Sequence, residues 1–290
     1  MKRTNSSEPR GASSERRETS RTTESPRSGT CEEKSMSKPG KVRNTNETIP
    51  VFARRFGSWQ ISLQRLAFSS PELTRLYDQA APGWGQTLDR LGYPSGYETL
   101  LRQALSNEAL KVVGAQHRVL DCGVGTGALS GALARVLPTP FKLDAIDISP
   151  RMLELASRSL RDTALEVTLR LGDVRELPYD NGVFDLVMTS HVLEHLVDPS
   201  IALSEMVRVL KPGGLLIACL TSRTALGMMV HLMWRTHSVT PAQLESWLLA
   251  SGLENTLCLS FDDRSFCQRM SVACLGRKPG VAGVRDRAPT

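Results

Sequence analysis

Three observations predict an α/β fold built on a doubly wound, mostly parallel sheet. Short apolar runs alternate with amphipathic stretches of helical period from residue 118 onward. One run, residues 184–189, is almost continuously apolar, as strands covered on both faces are. The first run passes directly into a glycine-rich turn that opens a helix.

The elements follow in order. Residues 119–121 read as a strand and 127–137 as a helix. A strand over 143–146 leads to a helix from Pro150 to Leu160, and 167–171 and 184–189 are strands. A helix over 199–210 runs into Lys211-Pro212-Gly213-Gly214, where Pro and Gly occupy the second and third positions of a type II turn. The strand 215–220 follows. Thr240-Pro241 caps a helix through Leu249 that ends near Gly252, and 257–261 and 271–275 are the last strands.

Upstream, residues 49–115 read as a helical cap. Leu63, Leu66 and Ala67 recur at helical spacing, as do Leu73, Leu76 and Tyr77, then Leu100, Leu101 and Leu105. Ser70-Pro71-Glu72 suits a helix entry with Ser70 as N-cap. Residues 1–48 are polar and nearly free of aliphatic side chains, so they are expected to be a disordered tail. Met36 offers an alternative start within it. The expected domain proper spans 116–275, with a tail at 276–290.

The formal charge of +6 sits in those tails. Residues 1–50 carry 11 Lys/Arg against 7 Asp/Glu, and residues 276–290 carry four basic residues against Asp286, which leaves −1 for everything between. A nucleic-acid binder should show clustered basic residues on the domain itself, so no nucleic-acid partner is expected. The N-terminus lacks the apolar core of a secretory signal, and its glutamates argue against a mitochondrial transit peptide. No apolar stretch is long enough for a membrane span. The six cysteines form no Cys-x-x-Cys pair, so no metal is expected, and scattered thiols suit a reducing, cytoplasmic setting.

The chemistry concentrates in Asp121-Cys122-Gly123-Val124-Gly125-Thr126-Gly127. Glycines there let the backbone take positive φ and let a ligand approach closely. Gly123, Gly125 and Ala128 also satisfy the dinucleotide pattern, so a nicotinamide-dependent oxidoreductase is an alternative. The neighbours decide. Asp121, at the strand end, is unhelpful to a pyrophosphate and attractive to a cation. Asp147 closes the next strand, where an acid can take ribose hydroxyls. Asp173 follows the third, where an acid can accept from an adenine amino group. A cation, a ribose and an adenine together describe S-adenosylmethionine.

The chain resembles class I S-adenosylmethionine-dependent methyltransferases, specifically the small-molecule branch called type 11. The resemblance covers roughly residues 75–275 and rests on five blocks in the family's order: 120–127, 145–153, 172–178, 184–187 and 209–214. It implies a Rossmann-like, doubly wound sheet of seven strands, mostly parallel with one antiparallel strand near the C-terminus, behind the N-terminal cap. It also implies roles. Asp121 with Gly123, Gly125 and Gly127 would hold the methionine moiety, and Asp147 the ribose. Ile148 and Val174 would cover the adenine faces, with Asp173 at its amino group. Tyr77 looks like the aromatic of a cap closing over the cofactor, with plain helix packing as the other reading.

The acceptor side begins after the fourth strand, at Ser190 and His191. Ser190 is expected in the cofactor pocket. His191 is the leading general base, against a role that only lines that pocket. His191-Val192-Leu193-Glu194-His195 also spells an inverted zinc-protease motif, but it sits directly after a buried strand, so coincidence is the better account. The Met-rich segment 224–237, with His231, reads as a substrate lid or as ordinary packing, and Tyr93 and Tyr97 are weaker candidates for the same wall. The expected reaction is in-line methyl transfer to an O, N or C nucleophile of a small molecule. The other alternative is a non-catalytic S-adenosylmethionine-binding regulatory or scaffold protein.

Overall fold

The computed structural model describes residues 48–106, 117–137, 140–237, 239–261 and 266–280. The expected disordered tail, Met36, the end of the cap and most of the C-terminal tail lie outside these residues.

Seven strands form one sheet. They are β3 (Arg118–Cys122), β4 (Lys142–Asp147), β5 (Glu166–Leu171), β6 (Phe184–Ser190), β7 (Leu210–Thr221), β8 (Glu254–Leu259) and β9 (Ser271–Arg277), in the spatial order β5-β4-β3-β6-β7-β9-β8. Only β9 runs against its neighbours, pairing antiparallel with both β7 and β8. This is the predicted seven-stranded, mostly parallel sheet. The order reverses between β3 and β6, and ligands bind beyond the carboxyl ends of strands at such a switch point.

Alternation along the strands supplies both faces. Val119, Leu143, Leu186, Met188 and Ile217 point to one side. There α2 (Tyr93–Ser106) and α3 (Ala128–Val136) cover them with Leu100, Leu101, Leu129 and Leu133. Leu120, Ile146, Val187 and Leu216 point to the other side, against Leu203 and Met206 of α5 (Pro199–Val209) and Leu244 and Leu248 of α7 (Pro241–Ala250). Both sets are buried, so the near-continuous apolar character of β6 follows from having no solvent face. Gly213 takes φ +78°, as the third residue of a type II turn requires, and lets β7 loop out between Leu210 and Leu215 before pairing resumes.

The helical reading of residues 50–69 is wrong. Thr48–Phe56 and Trp59–Leu66 are strands β1 and β2, an antiparallel hairpin. Trp59, Ile61 and Leu63 follow period two, and Gly57-Ser58 is a two-residue loop with glycine at φ +57° in its first position. Those local signals outweigh the coincidental Leu63, Leu66, Ala67 spacing. The long helix α1 (Ser70–Arg90) starts one residue earlier than expected, because the Glu72 carboxylate reaches back to accept from the Ser69 N–H at 2.8 Å. α4 (Pro150–Leu160) runs as predicted, with the Ser149 hydroxyl accepting from the Met152 N–H. The Met-rich segment is helix α6 (Ala225–Trp234), and α8 (Phe266–Met270) is a single short turn before β9.

Candidate active site

A cleft enclosing about 980 Å³ of empty space, part of it open to solvent, lies beyond the carboxyl ends of β3, β4 and β6. Its floor is the turn after β3. Gly123, Gly125 and Gly127 have φ of +82°, +53° and +82°, a backbone only glycine holds without strain. The N–H groups of Gly123 and Val124 donate to the Ile146 carbonyl, tying the turn to β4.

Each glycine meets different surroundings. A Cβ on Gly123 would lie 2.1 Å from Val192 Cγ2, and one on Gly127 would press on Leu160 and Ser159 at 3.1 Å. A Cβ on Gly125 would meet nothing within 4 Å. Gly125 is therefore bare toward the cleft, where a ligand can touch its backbone. Gly127 does not line the cleft; it opens α3 from behind the turn, a departure from the expected three-glycine cradle.

Tyr77, Asp121, Gly123, Gly125, Asp147, Ile148, Asp173, Val174, Ser190 and His191 all line the cleft. Asp121 and Asp147 are both buried, and neutral groups donate to them. The Ser130 hydroxyl reaches Asp121 at 2.6 Å. The N–H groups of Gly125 and Ser149 reach opposite oxygens of Asp147 at 2.8 and 2.9 Å. Burial pushes the Asp121 carboxyl up to about 7, opposed by the Ser130 hydroxyl and assisted by Asp147. Burial also raises Asp147, outweighing its backbone donors. Two buried acids held above their ordinary range are short of positive charge, and a cationic ligand supplies it.

Asp173 differs. Burial works against its charge, yet Arg175 overrides that and holds the carboxyl below its ordinary value, binding it through Nε and Nη2 at 3.0 and 2.6 Å. Arg175 also donates to Ser70 Oγ at the start of α1. Sequence reasoning missed this arginine, although its place two residues after the acid was a readable signal.

His191 stands at φ +57°, where β6 leaves the sheet. Its Nδ1 lies 3.2 Å from Thr221 Oγ1 and 3.5 Å from Glu194 Oε1, and Tyr93 meets the ring edge-on. Burial opposes an imidazolium, but the acidic groups Tyr93, Cys219 and Glu194 outweigh it and raise His191 well above its ordinary value. Tyr93 is itself pushed up by burial and stays neutral, so Glu194 is the effective counter-charge. Despite its burial, Glu194 is held at about 2 by His191 and by the Thr221 hydroxyl, which donates to it at 2.6 Å. The buried Glu194 carboxylate beside Nδ1 thus favours the charged form of the ring.

Aromatic side chains close the cap side. Tyr77 stacks on Trp234 with centroids 5.4 Å apart, Trp84 packs edge-on against both, and the Tyr77 hydroxyl shares a 2.7 Å hydrogen bond with His195 Nε2. Burial drives His195 down to about 4, so it is neutral. Tyr77 both packs against these rings and lines the cleft. The Ser190 hydroxyl is bonded to Tyr97 at 2.6 Å. Tyr93 and His231 do not face the cleft: Tyr93 bonds Ser271, and His231 is buried against Thr236 at 2.6 Å. Among the described residues no cluster of three or more His, Cys, Asp or Glu has the geometry to hold a metal ion.

Fold and cleft together define an α/β domain whose switch point is acidic and glycine-lined, made for a cationic nucleoside. A methyltransferase-domain family model matches residues 120–218. The chain is 32% identical over 168 residues to a demethylmenaquinone methyltransferase of Lactiplantibacillus plantarum, covering 57% of this chain and 70% of that protein. It is 31% identical over 160 residues to a ubiquinone biosynthesis O-methyltransferase of Xanthomonas euvesicatoria, covering 50% and 65%. A solved S-adenosylmethionine-dependent methyltransferase from Thermotoga maritima shares the fold, with a TM-score of 0.55 at 19% identity over 71% of this chain and 99% of that one. The chain spans about half the length of several curated relatives that it matches. It belongs to the class I S-adenosylmethionine-dependent methyltransferases. S-adenosylmethionine is the cofactor of that family, and the bare Gly125 and the charge-starved Asp121 and Asp147 fit it.

Proposed function

We propose that this chain transfers a methyl group from S-adenosylmethionine to an oxygen or ring carbon of a small aromatic, apolar acceptor of the quinol type. The carrying observation is the pairing of two features in one cleft: buried Asp121 at the glycine turn, and an apolar lining of Leu73, Tyr77, Trp84, Leu88 and Leu196. The quinone-pathway names of the relatives support the acceptor class. A dinucleotide would bring the negative charge of its pyrophosphate beside a buried acid that already lacks positive neighbours, which disfavours a nicotinamide cofactor.

When bound, S-adenosylmethionine supplies a methyl carbon on a sulfonium whose leaving thioether is neutral, open to in-line displacement. Asp121 and the Gly123–Gly125 turn hold the cationic methionine end. Asp147, with both oxygens fixed by backbone N–H groups, offers its remaining lone pairs to the ribose hydroxyls. Ile148 and Val174 flank the adenine, and Asp173 meets its amino group beside Arg175. Tyr77 and Trp84 exclude water and orient the acceptor ring, and positioning of this kind supplies roughly 7–11 kcal/mol of barrier lowering. A second cation in the cleft disfavours the His191 imidazolium. Once that proton leaves, Glu194 and Thr221 orient the ring through Nδ1, and Nε2, 3.9 Å from the Cys219 thiol, accepts the proton of the acceptor hydroxyl.

Two tests follow. Asp121 must shed its proton to face a cation, so affinity for S-adenosylmethionine should rise by up to about tenfold per pH unit below pH 7 and flatten above it. Calorimetry from pH 5.5 to 8.5 reads this slope (about three units), and Asp121→Asn should flatten it. A flat profile in the wild type would refute the assignment. For the base, His191→Asn is the suitable variant, because Asn tolerates the left-handed backbone at this position. It should lower kcat for a hydroxyquinol acceptor by roughly 10²–10⁴-fold while leaving affinity for S-adenosylhomocysteine near that of the wild type. An unchanged kcat leaves His191 as a wall residue only.

A further inference from the structure

We propose that the β1–β2 hairpin and the outer flank of α6 form a docking surface for an anionic lipid bilayer. The docking itself is independent of the function proposed above; that the bilayer is also the source of the acceptor rests on that reading.

Cross-strand register puts Phe56 opposite Trp59 and Arg54 opposite Ile61, so these side chains share one face with Leu63, while Ser62 and Gln60 lie on the other. That apolar face is uncovered: Phe56 is 50%, Trp59 78%, Ile61 61% and Leu63 61% exposed. A two-stranded hairpin is marginal in water, and a contiguous exposed apolar patch marks a surface that something else covers.

Charge selects the occupant. Residues 48–68 contain Arg54, Arg55 and Arg65 and no Asp or Glu. A second copy would set these arginines against their own kind. The segment 1–50 carries 11 Lys/Arg against 7 Asp/Glu, so its net charge does not complement these arginines either. A surface that is anionic outside and apolar beneath satisfies both features. Aromatic residues at the tip with arginines behind them make an interfacial arrangement, and Arg54 stands 5.1 Å from the Phe56 ring.

The hairpin is tied to a second apolar surface. The Arg65 guanidinium donates to the carbonyls of His231 and Leu232 at 3.0 and 3.1 Å, near the end of α6. Met229, Leu232 and Met233 of that helix are more than half exposed. α6 ends in Trp234, which stacks on Tyr77 in the cleft wall. The patch therefore adjoins the cleft on the side proposed for the acceptor. Among the described residues no helix is long and apolar enough to cross a membrane.

The test is flotation of the full-length chain with phosphatidylcholine vesicles, with and without phosphatidylglycerol. We expect binding that requires phosphatidylglycerol and weakens with added salt. It should fall at least about tenfold in the Phe56→Ser, Trp59→Ser double variant and again in Arg54→Gln, Arg55→Gln. Unchanged affinity for S-adenosylhomocysteine in these variants verifies that they fold. Absence of phosphatidylglycerol-dependent binding overturns the proposal, as does equal binding by the tip variant. A self-associated wild type that the tip variant converts to monomer also overturns it, in favour of an interface between copies. Flotation needs no methyl transfer, so its failure is separate from a failure to methylate a detergent-solubilised quinol, which would strike the acceptor reading alone.

Discussion

Asp147→Asn protein is expected to fold and to bind S-adenosylmethionine roughly 10²-fold more weakly than the wild type. A buried carboxylate that accepts from ligand hydroxyls makes charge-assisted bonds of about 1.5–3 kcal/mol each, and the amide keeps only part of that. Asn disturbs the turn less than Ala, since its Oδ1 still accepts from one of the two backbone N–H groups, although its Nδ2 then faces the other, donor against donor. Asp147→Ala should weaken binding at least as strongly, but it also strips the acceptor from the Gly125 and Ser149 N–H groups and loosens the turn itself. Calorimetry with S-adenosylhomocysteine, beside a thermal melt, separates the two effects. Wild-type affinity in a folded Asp147→Asn variant would remove the ribose contact from the account.

The glycine turn should divide cleanly under alanine substitution. Gly125→Ala incurs about 1–2 kcal/mol for its positive φ but meets no neighbour, so the protein should fold with its new methyl projecting into the cleft. Cofactor affinity should then drop by about 10²-fold or more, since the methyl occupies the place where a ligand reaches the backbone. Gly123→Ala carries the same φ strain and drives a Cβ into Val192, at on the order of 2–5 kcal/mol of stability. Its defect should appear first as a lowered melting temperature. Equal stability losses in the two variants, or full cofactor affinity in Gly125→Ala, would contradict the geometry of the turn.

Most of the fold was legible in the chain because a parallel sheet writes itself plainly. Strands covered on both faces must be apolar throughout, and helices between them must carry one apolar stripe, so β6 and α4 could be bounded within a residue from the sequence. The hairpin was not. Most of its apolar residues face solvent, which strips the alternation of its usual meaning as core packing, and Leu63 and Leu66 fell by chance on a helical spacing with Ala67 just past its end.

Within the site, the sequence by itself determined that three acids end neighbouring strands beside a glycine turn. Chain connectivity and the period of the elements carry that information. Tertiary structure alone decided what each residue faces and what charge it holds. Gly127 turned out to sit behind the turn because Leu160 and Ser159 pack against it. Asp173 took an internal partner in Arg175, while Asp121 and Asp147 were left to raise their affinity for protons. His191 holds its proton more tightly than a free imidazole because α2 brings Tyr93, β7 brings Cys219 and the turn after β6 brings Glu194 to its ring. Charge state depends on burial and on neighbours remote in the chain, and these exist only once the sheet has assembled.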